Sequence, residues 1–365
     1  MKFNYSVSFA MIWVLVGLSA NAQKTTVSIN GNQFYLNGKP TYEGRFWQGN
    51  KIEGLLMNSR MVQGVFDNLS AASADTFAYP DTKKWDAERN TDEFLAAMPL
   101  WKSYGLNAIT VNMQGGSPFG YGNFDFQNPG YNPDGTLHTG YMRRLDRILR
   151  KADDLGMVVI LGLFYFGQDQ RLRDEAAIIA ATRNMTHWLF DKGYRHVLIE
   201  INNETLGQIK QYDHEILLYQ RVHELIDLVK GIERNGYRYL VSTSFPAQIP
   251  PTQNVLNSAD FVLFHANALR DTQKYIEHIA KVKKAVGNRE MPIVINEDDN
   301  FDFDSDSSHL ALALQNYISW GYFDYRKKGI TDLKEGYQSI PVDWGINSEN
   351  KKAFFNKIKQ ITGVK

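Results

Sequence analysis

Beyond about residue 90 the chain alternates between short apolar runs and longer segments whose apolar residues recur at helical spacing. The runs are Asn107 to Asn112, Met157 to Phe164, His196 to Asn202, Tyr239 to Thr243, Phe261 to His265, Ile293 to Asn296 and Trp320 to Tyr325. Met157 to Phe164 is apolar at nearly every position, as a parallel strand buried on both faces must be. Between the runs, Met142, Leu145, Ile148, Leu149, Ala152 and Leu155 share one helical face. Further helices are expected at Asp92 to Tyr104 with Thr91 as N-cap, Ala176 to Lys192 closed by Gly193, and Asp213 to Arg234. Gln273 to Val286, Ser308 to Ile318 and Asn350 to Thr362 complete the set. Such alternation specifies a parallel sheet covered by helices. With Pro40 to Trp47 as the first strand the count is eight, which implies closure into a (β/α)8 TIM barrel. An open doubly wound sheet is the alternative, but no G-x-G-x-x-G or G-x-x-x-x-G-K turn follows the early strands.

The N-terminal part fits around that frame. Lys2 precedes an apolar run, Val7 to Leu18, and then Ala20-Asn21-Ala22, the pattern of a secretory signal peptide cut after Ala22. The expectation is a signal at 1–22 and a single catalytic barrel domain at 23–365, secreted or periplasmic, with no membrane association once the signal is removed. Thr25 to Leu36 alternates around Asn30-Gly31-Asn32 as a β-hairpin does, and such a hairpin is suited to plug the bottom of a barrel. The polar and aromatic stretch from Trp47 to Asn90 has little periodicity and reads as a long loop insertion carrying binding residues.

Composition narrows the chemistry. Forty basic residues balance forty acidic ones, which argues against nucleic acid or an anionic membrane as the main partner. The absence of cysteine excludes thiol chemistry and disulfide staples, so an exported chain of this length must rely on its core. Histidines are scattered without H-E-x-x-H or other close ligand spacing, and no G-x-S-x-G occurs, so neither a metal nor any other cofactor nor a serine nucleophile is expected. The stretch from Asp298 to Asp306 is acidic, but with Asp302 as first position Ser307 stands where a calcium loop needs glycine and Ala313 where it needs glutamate. It reads as a solvated loop.

In a barrel the chemistry sits where strands end, and two runs end in glutamate. The fourth reads Val197-Leu198-Ile199-Glu200-Ile201-Asn202-Asn203-Glu204 and the seventh Pro292-Ile293-Val294-Ile295-Asn296-Glu297. Alternation puts Glu200, Asn202 and Glu204 on the inward face, with Glu204 at the mouth and Glu200 deeper, where it needs a strand-end Arg or His as partner. Strands four and seven lie across the barrel from each other, so their carboxylates can flank a sugar. Glycoside hydrolysis needs such a pair, one to protonate the leaving oxygen and the other to attack or activate water.

Glu200-Ile201-Asn202-Asn203-Glu204 resembles the E-x-x-N-E ending of strand four in glycoside hydrolase clan A, especially the cellulase-like family 5, and Met291 to Glu297 resembles that clan's seventh strand. The resemblance implies acid/base catalysis by Glu204, nucleophilic attack by Glu297, a substrate contact from Asn203 and retention at the anomeric carbon. The expected substrate is a β-linked oligo- or polysaccharide. Three positions depart from the cellulase-like pattern: Thr205 where proline often follows the acid/base, Asn112 where strand two often ends in arginine, and His265-Ala266-Asn267 where H-x-Y is common. A non-catalytic carbohydrate-binding barrel and a transglycosylase are the alternatives; oligomeric state is open.

The remaining site candidates follow from strand ends. Arg45 and Trp47 end the first strand as read here, with Arg45 placed to hold Glu297 ionised. Asn112, Gln114, Tyr165, His265, Asn267 and Asp298 are candidate sugar contacts. Trp320 and Tyr322 share a face of strand eight with Asp324 and are candidates for a sugar platform.

Overall fold

The computed structural model describes residues 1, 24–115, 126–206, 212–327 and 329–364. The signal-peptide segment lies outside them. Eight parallel strands form the frame: β1 (Asn58–Arg60), β2 (Ala108–Asn112), β3 (Val158–Phe164), β4 (Val197–Asn202), β5 (Leu240–Ser242, resuming at Ser244–Phe245), β6 (Val262–His265), β7 (Ile293–Glu297) and β8 (Gly321–Tyr322). Pairing runs β5-β4-β3-β2-β1-β8 in one sheet. The second half of β5 pairs with β6 and β6 with β7, and isolated parallel bridges Val294–Ser319 and Asp298–Tyr322 carry β7 to β8, so the circuit returns to β1. Helices α1 (Ala87–Ser103), α2 (Thr139–Leu155), α3 (Glu175–Lys192), α4 (His223–Lys230), α5 (Gln253–Ser258), α6 (Thr272–Val286), α7 (His309–Gln315) and α8 (Glu349–Thr362) follow the strands in turn. This is a (β/α)8 barrel.

The period-two pattern sorts the strand residues into two cores. Val197, Ile199 and Ile201 of β4 join the large core between strands and helices, whereas Leu198 joins a small one inside the barrel with Ala108, Val158, Ile160, Leu263 and Val294. The N-terminal hairpin closes that inner core from below. Its strands Val27–Asn30 and Gln33–Leu36 pair around a Gly31-Asn32 turn, with Gly31 at φ +60°, and insert Val27 and Phe34 into the inner core. The Phe34 ring meets Phe261 edge-on at 6.2 Å. The plug expected from the sequence is therefore present.

The first strand is not where the sequence reading put it. Pro40 to Trp47 forms no barrel strand; Phe46–Trp47 pairs only with Asn50–Lys51 in a small antiparallel ribbon. The barrel instead begins at Asn58, inside the stretch read as an insertion, because Leu55-Leu56-Met57 supplies the buried approach and Arg60 a buried, paired strand end. Two helices also differ from expectation. α1 starts five residues earlier, since the Asp86 side chain accepts from the amides of Glu88 and Arg89, while Thr91 is buried and donates to the Gly64 carbonyl at 3.0 Å. The long helix expected over 213–234 is broken into a 3-10 turn, Glu215–Leu217, and α4. The Leu217 carbonyl is taken by Asn202 Nδ2 at 2.8 Å and Thr205 Oγ1 at 2.9 Å, which ties the segment to the end of β4.

Candidate active site

Four strand ends converge at the mouth of the barrel. β4 stops at Asn202, and the two residues beyond it turn inward. Glu204 adopts φ +51°, a left-handed conformation that costs a non-glycine residue about 1–2 kcal/mol. Its amide is held by Ser244 Oγ at 2.9 Å and the next amide, Thr205 N, by the Ser244 carbonyl at 2.8 Å, so β5 fixes the turn. Tyr212 donates to the Asn203 carbonyl from the following loop. On β7 a register shift against β6 pairs Phe264 with Ile295 but His265 with Glu297, so Asn296 is an extra residue. Such a bulge re-aims the side chain that follows it. Asn296 and Glu297 consequently both address the interior, where strict alternation would turn one of them away.

Glu204 and Glu297 then face each other across His265. His265 Nδ1 lies 2.9 Å from Glu204 Oε1 and 3.3 Å from Glu297 Oε2. One oxygen of each carboxylate and a ring nitrogen of His265 all fall within 4.8 Å of one another. Glu297 is held at both oxygens: Arg60 Nε is 2.7 Å from Oε2, and Asn267 Nδ2 donates to Oε1 at 2.7 Å. Arg60 also donates to Asn203 Oδ1 and faces Glu200 Oε2 at 3.6 Å. A divalent cation could use the spacing of Glu204, His265 and Glu297, but Arg60 already supplies positive charge at Glu297.

Burial dominates the electrostatics. It pushes the Glu204 carboxyl up to about 7, with Arg60 pulling the other way. Burial also raises Glu297, opposed by His265 and Arg60 and reinforced by the like charges of Glu204 and Glu200. His265 is lowered by burial and by Arg60, against the attraction of Glu297 and Glu200, which favours a neutral ring. Burial opposes the Arg60 charge as well, but Glu297 and Glu200 outweigh it and raise its pKa. Two carboxyls within one small site thus sit in different environments, Glu297 with a hydrogen bond from Asn267 on one oxygen and an ion pair to Arg60 at the other, and Glu204 facing, among the described residues, the His265 ring.

The structure brings Asn203, His265 and Asn267 to the carboxylates and leaves other candidates elsewhere. Arg45 binds the last carbonyls of α8, with Nε 2.7 Å from Ile361 O and Nη2 2.6 Å from Gln360 O, at the opposite end of the barrel, and Trp47 lies beside it. The role expected of Arg45 belongs by position to Arg60, which the sequence reading missed; the signal was the apolar Leu55 to Met57 before it. Trp320 and Tyr322 do share a face, but the outer one: both are fully buried, Tyr322 stacks on Phe354 of α8 at 4.5 Å, and Gly321 is the residue that faces the barrel interior. Asp298 also points outward, accepting from His309 at 3.0 Å and from Trp320 Nε1 at 2.9 Å. Gln114 ties two loops, accepting from Tyr165 N at 3.0 Å and donating to Gln168 O at 3.1 Å. Asn112 is buried against Gly162 of β3. Tyr165 is nearly buried and near enough for its charge to bear on Arg60.

Beside β7 and β8 a cleft of about 700 Å³ opens, lined by Arg270, Asp299, Phe301, Asp324, Tyr325 and Ile330 among others. Arg270 pairs with Asp299 at 2.5 Å, two residues beyond Glu297, and Tyr325 and Ile330 are exposed.

No sequence-family model matches the chain, and no curated protein does. Solved structures do. The endo-1,4-β-mannanase of Rhizomucor miehei superposes with a TM-score of 0.56 at 12% identity, covering 93% of this chain and 100% of that one. A family 5 mannosidase of the same organism gives 0.54 at 12% identity, covering 94% and 98%. A family 5 glycoside hydrolase of Bacteroides vulgatus ATCC 8482 gives 0.53 at 12% identity, covering 87% of this chain and 66% of that one. At such identities the likeness is one of architecture: the chain shares the (β/α)8 fold of these glycoside hydrolases.

Proposed function

We propose that the protein is a glycoside hydrolase that cleaves a β-linked oligo- or polysaccharide with retention, Glu204 acting as general acid/base and Glu297 as nucleophile. The observation that carries the reading is the close pair of carboxylates, one oxygen of each within 4.8 Å, in unlike environments. Retaining enzymes hold their two carboxyls about 5–5.5 Å apart, whereas inverting ones leave about 6.5–9.5 Å for a water. Glu297, fixed by Arg60 and Asn267, attacks the anomeric carbon while Glu204 gives its proton to the departing oxygen. A glycosyl ester on Glu297 results. Glu204, now ionised, takes a proton from water as that water attacks the same carbon and releases Glu297. A value near 7 suits a group that must be acid in one step and base in the next.

The cleft beside Asp299 is lined by none of the residues around Glu204 and Glu297, but its Tyr325 and Phe301 offer apolar surface of the kind that sugar C–H faces pack on. Export belongs to the same proposal: the segment 1–22 directs secretion and residues from 23 onward form one catalytic domain. Among the described residues no helix is long and apolar enough to cross a membrane.

A panel of β-glycans identifies the substrate, and Glu204→Gln and Glu297→Gln then test the pair. Each is expected to lose about 10³-fold or more in kcat on the polymer. On an aryl glycoside with a dinitrophenolate leaving group, which needs no proton, Glu204→Gln forms the ester normally and stalls at its hydrolysis, and mass spectrometry finds the label on Glu297. Near-wild-type turnover by either variant sinks the assignment.

A further inference from the structure

One carboxylate inside the barrel, below its mouth, has no part in the double displacement. Glu200 lies on β4 four residues before Glu204, fully buried, with Oε2 3.6 Å from Arg60 Nη1 and 3.5 Å from Asn296 Nδ2 and with no hydrogen-bond partner on Oε1. Burying a charge that is only partly satisfied is costly, and an apolar side chain of similar size is often at least as stable in such a place. Stability therefore does not account for a carboxylate there. Its geometry does suggest a use. Arg60 faces three acceptors: Nη2 hydrogen-bonds Asn203, while Nε and Nη1 make ion-pair contacts with Glu297 and Glu200. A guanidinium is planar, so restraining one edge fixes the direction of the other two.

We propose that Glu200 is a positioning residue for the nucleophile: it holds the Nη1 edge of Arg60 so that Nε meets Glu297 and Nη2 meets Asn203, and its negative charge limits how far Arg60 stabilises ionised Glu297. The inference rests on the double-displacement reading. A carboxylate too strongly stabilised by a cation is a poor nucleophile, and a second anion sharing that cation restores its basicity. The charged and titratable groups facing this network are Arg60 from β1, Tyr165 after β3, Glu204 after β4, His265 from β6 and Glu297 from β7. Glu200 raises the pKa of Glu297, whereas at Glu204 the acting influences are burial and Arg60. Removing the Glu200 charge therefore acts directly on Glu297 and reaches Glu204 only through Arg60.

The test is the pH profile of kcat/KM for Glu200→Gln, which keeps the shape and removes the charge. The acid limb, set by Glu297, is expected to move down by on the order of one pH unit, while the alkaline limb, set by Glu204, moves less. With a dinitrophenyl glycoside, whose leaving group needs no proton, the acid limb is read in isolation and shows the same displacement. kcat falls about tenfold with KM little changed, because the weakened step is chemical. Glu200→Asp keeps the charge and serves if the glutamine variant does not fold: its acid limb stays within about 0.2 unit of wild type while kcat falls through lost positioning. A purely structural role would lower thermal stability and leave both limbs where they were. An unmoved acid limb in Glu200→Gln with kcat within twofold of wild type overturns the proposal, as does a moved acid limb in Glu200→Asp. Failure of the parent reading looks different: Glu297→Gln would retain turnover whatever Glu200 does.

Discussion

At the scale of single residues, the site depends on one cation. Arg60 is fully buried and serves Glu297, Glu200 and Asn203 together, so its charge is partitioned among neighbours that would otherwise be stranded. Glu204 receives no such donor; it faces His265, whose ring burial keeps toward the neutral form. Burial raises both glutamates, but their partners differ although each ends up in the same small space. A direct consequence concerns pH. In the proposed mechanism Glu204 is protonated when it assists departure of an unactivated sugar oxygen, so kcat/KM on the natural glycan should fall as pH rises through about 7, the value to which burial pushes this carboxyl. A profile flat to pH 9 would contradict that assignment. Asn267 illustrates how much a residue's type leaves open: a strand-end asparagine signals a polar contact, and only the fold reveals that the contact is a 2.7 Å hydrogen bond to Glu297.

At the scale of elements, three local devices aim the side chains. The bulge on β7 turns Glu297 inward, the left-handed turn at Glu204 carries the chain from the strand to the mouth, and β5 holds that turn through Ser244. None of these is written in hydrophobic periodicity, which is why the strands were legible in the sequence and their aim was not. β8 makes the same point by parity. Alternation correctly grouped Trp320 with Tyr322, but which face looked inward depended on Gly321, whose missing Cβ leaves room for the Asn58 side chain and the Ile295 carbonyl. A methyl at Gly321 would lie 2.8 Å from that carbonyl oxygen. Gly321→Ala should accordingly destabilise the fold by about 1–3 kcal/mol, as overpacking of a filled interior does, and a thermal melt unchanged from wild type would refute this account.

At the scale of the whole molecule, a barrel without disulfides is held by an inner core sealed from below and a larger outer core against the helices. The seal is the N-terminal hairpin, and Phe34 is its deepest side chain. Phe34→Ala should cost about 3–5 kcal/mol by opening a cavity under the strands, measurable by denaturant unfolding, while leaving the proposed catalytic pair at the far end in place. Activity per folded molecule near wild type is the matching expectation. The sequence by itself determined the fold class, the hairpin plug, seven of the eight strands and the placement of two glutamates at strand ends, because buried strands need apolar runs and polar residues mark where those runs stop. Tertiary structure alone decided that the first strand ends at Arg60 instead of near Arg45, that Trp320 and Tyr322 face α8, and that Glu200 shares Arg60 with Glu297. Those outcomes depend on which separate elements meet in the folded barrel, and contact between residues far apart in sequence leaves no periodic trace along the chain.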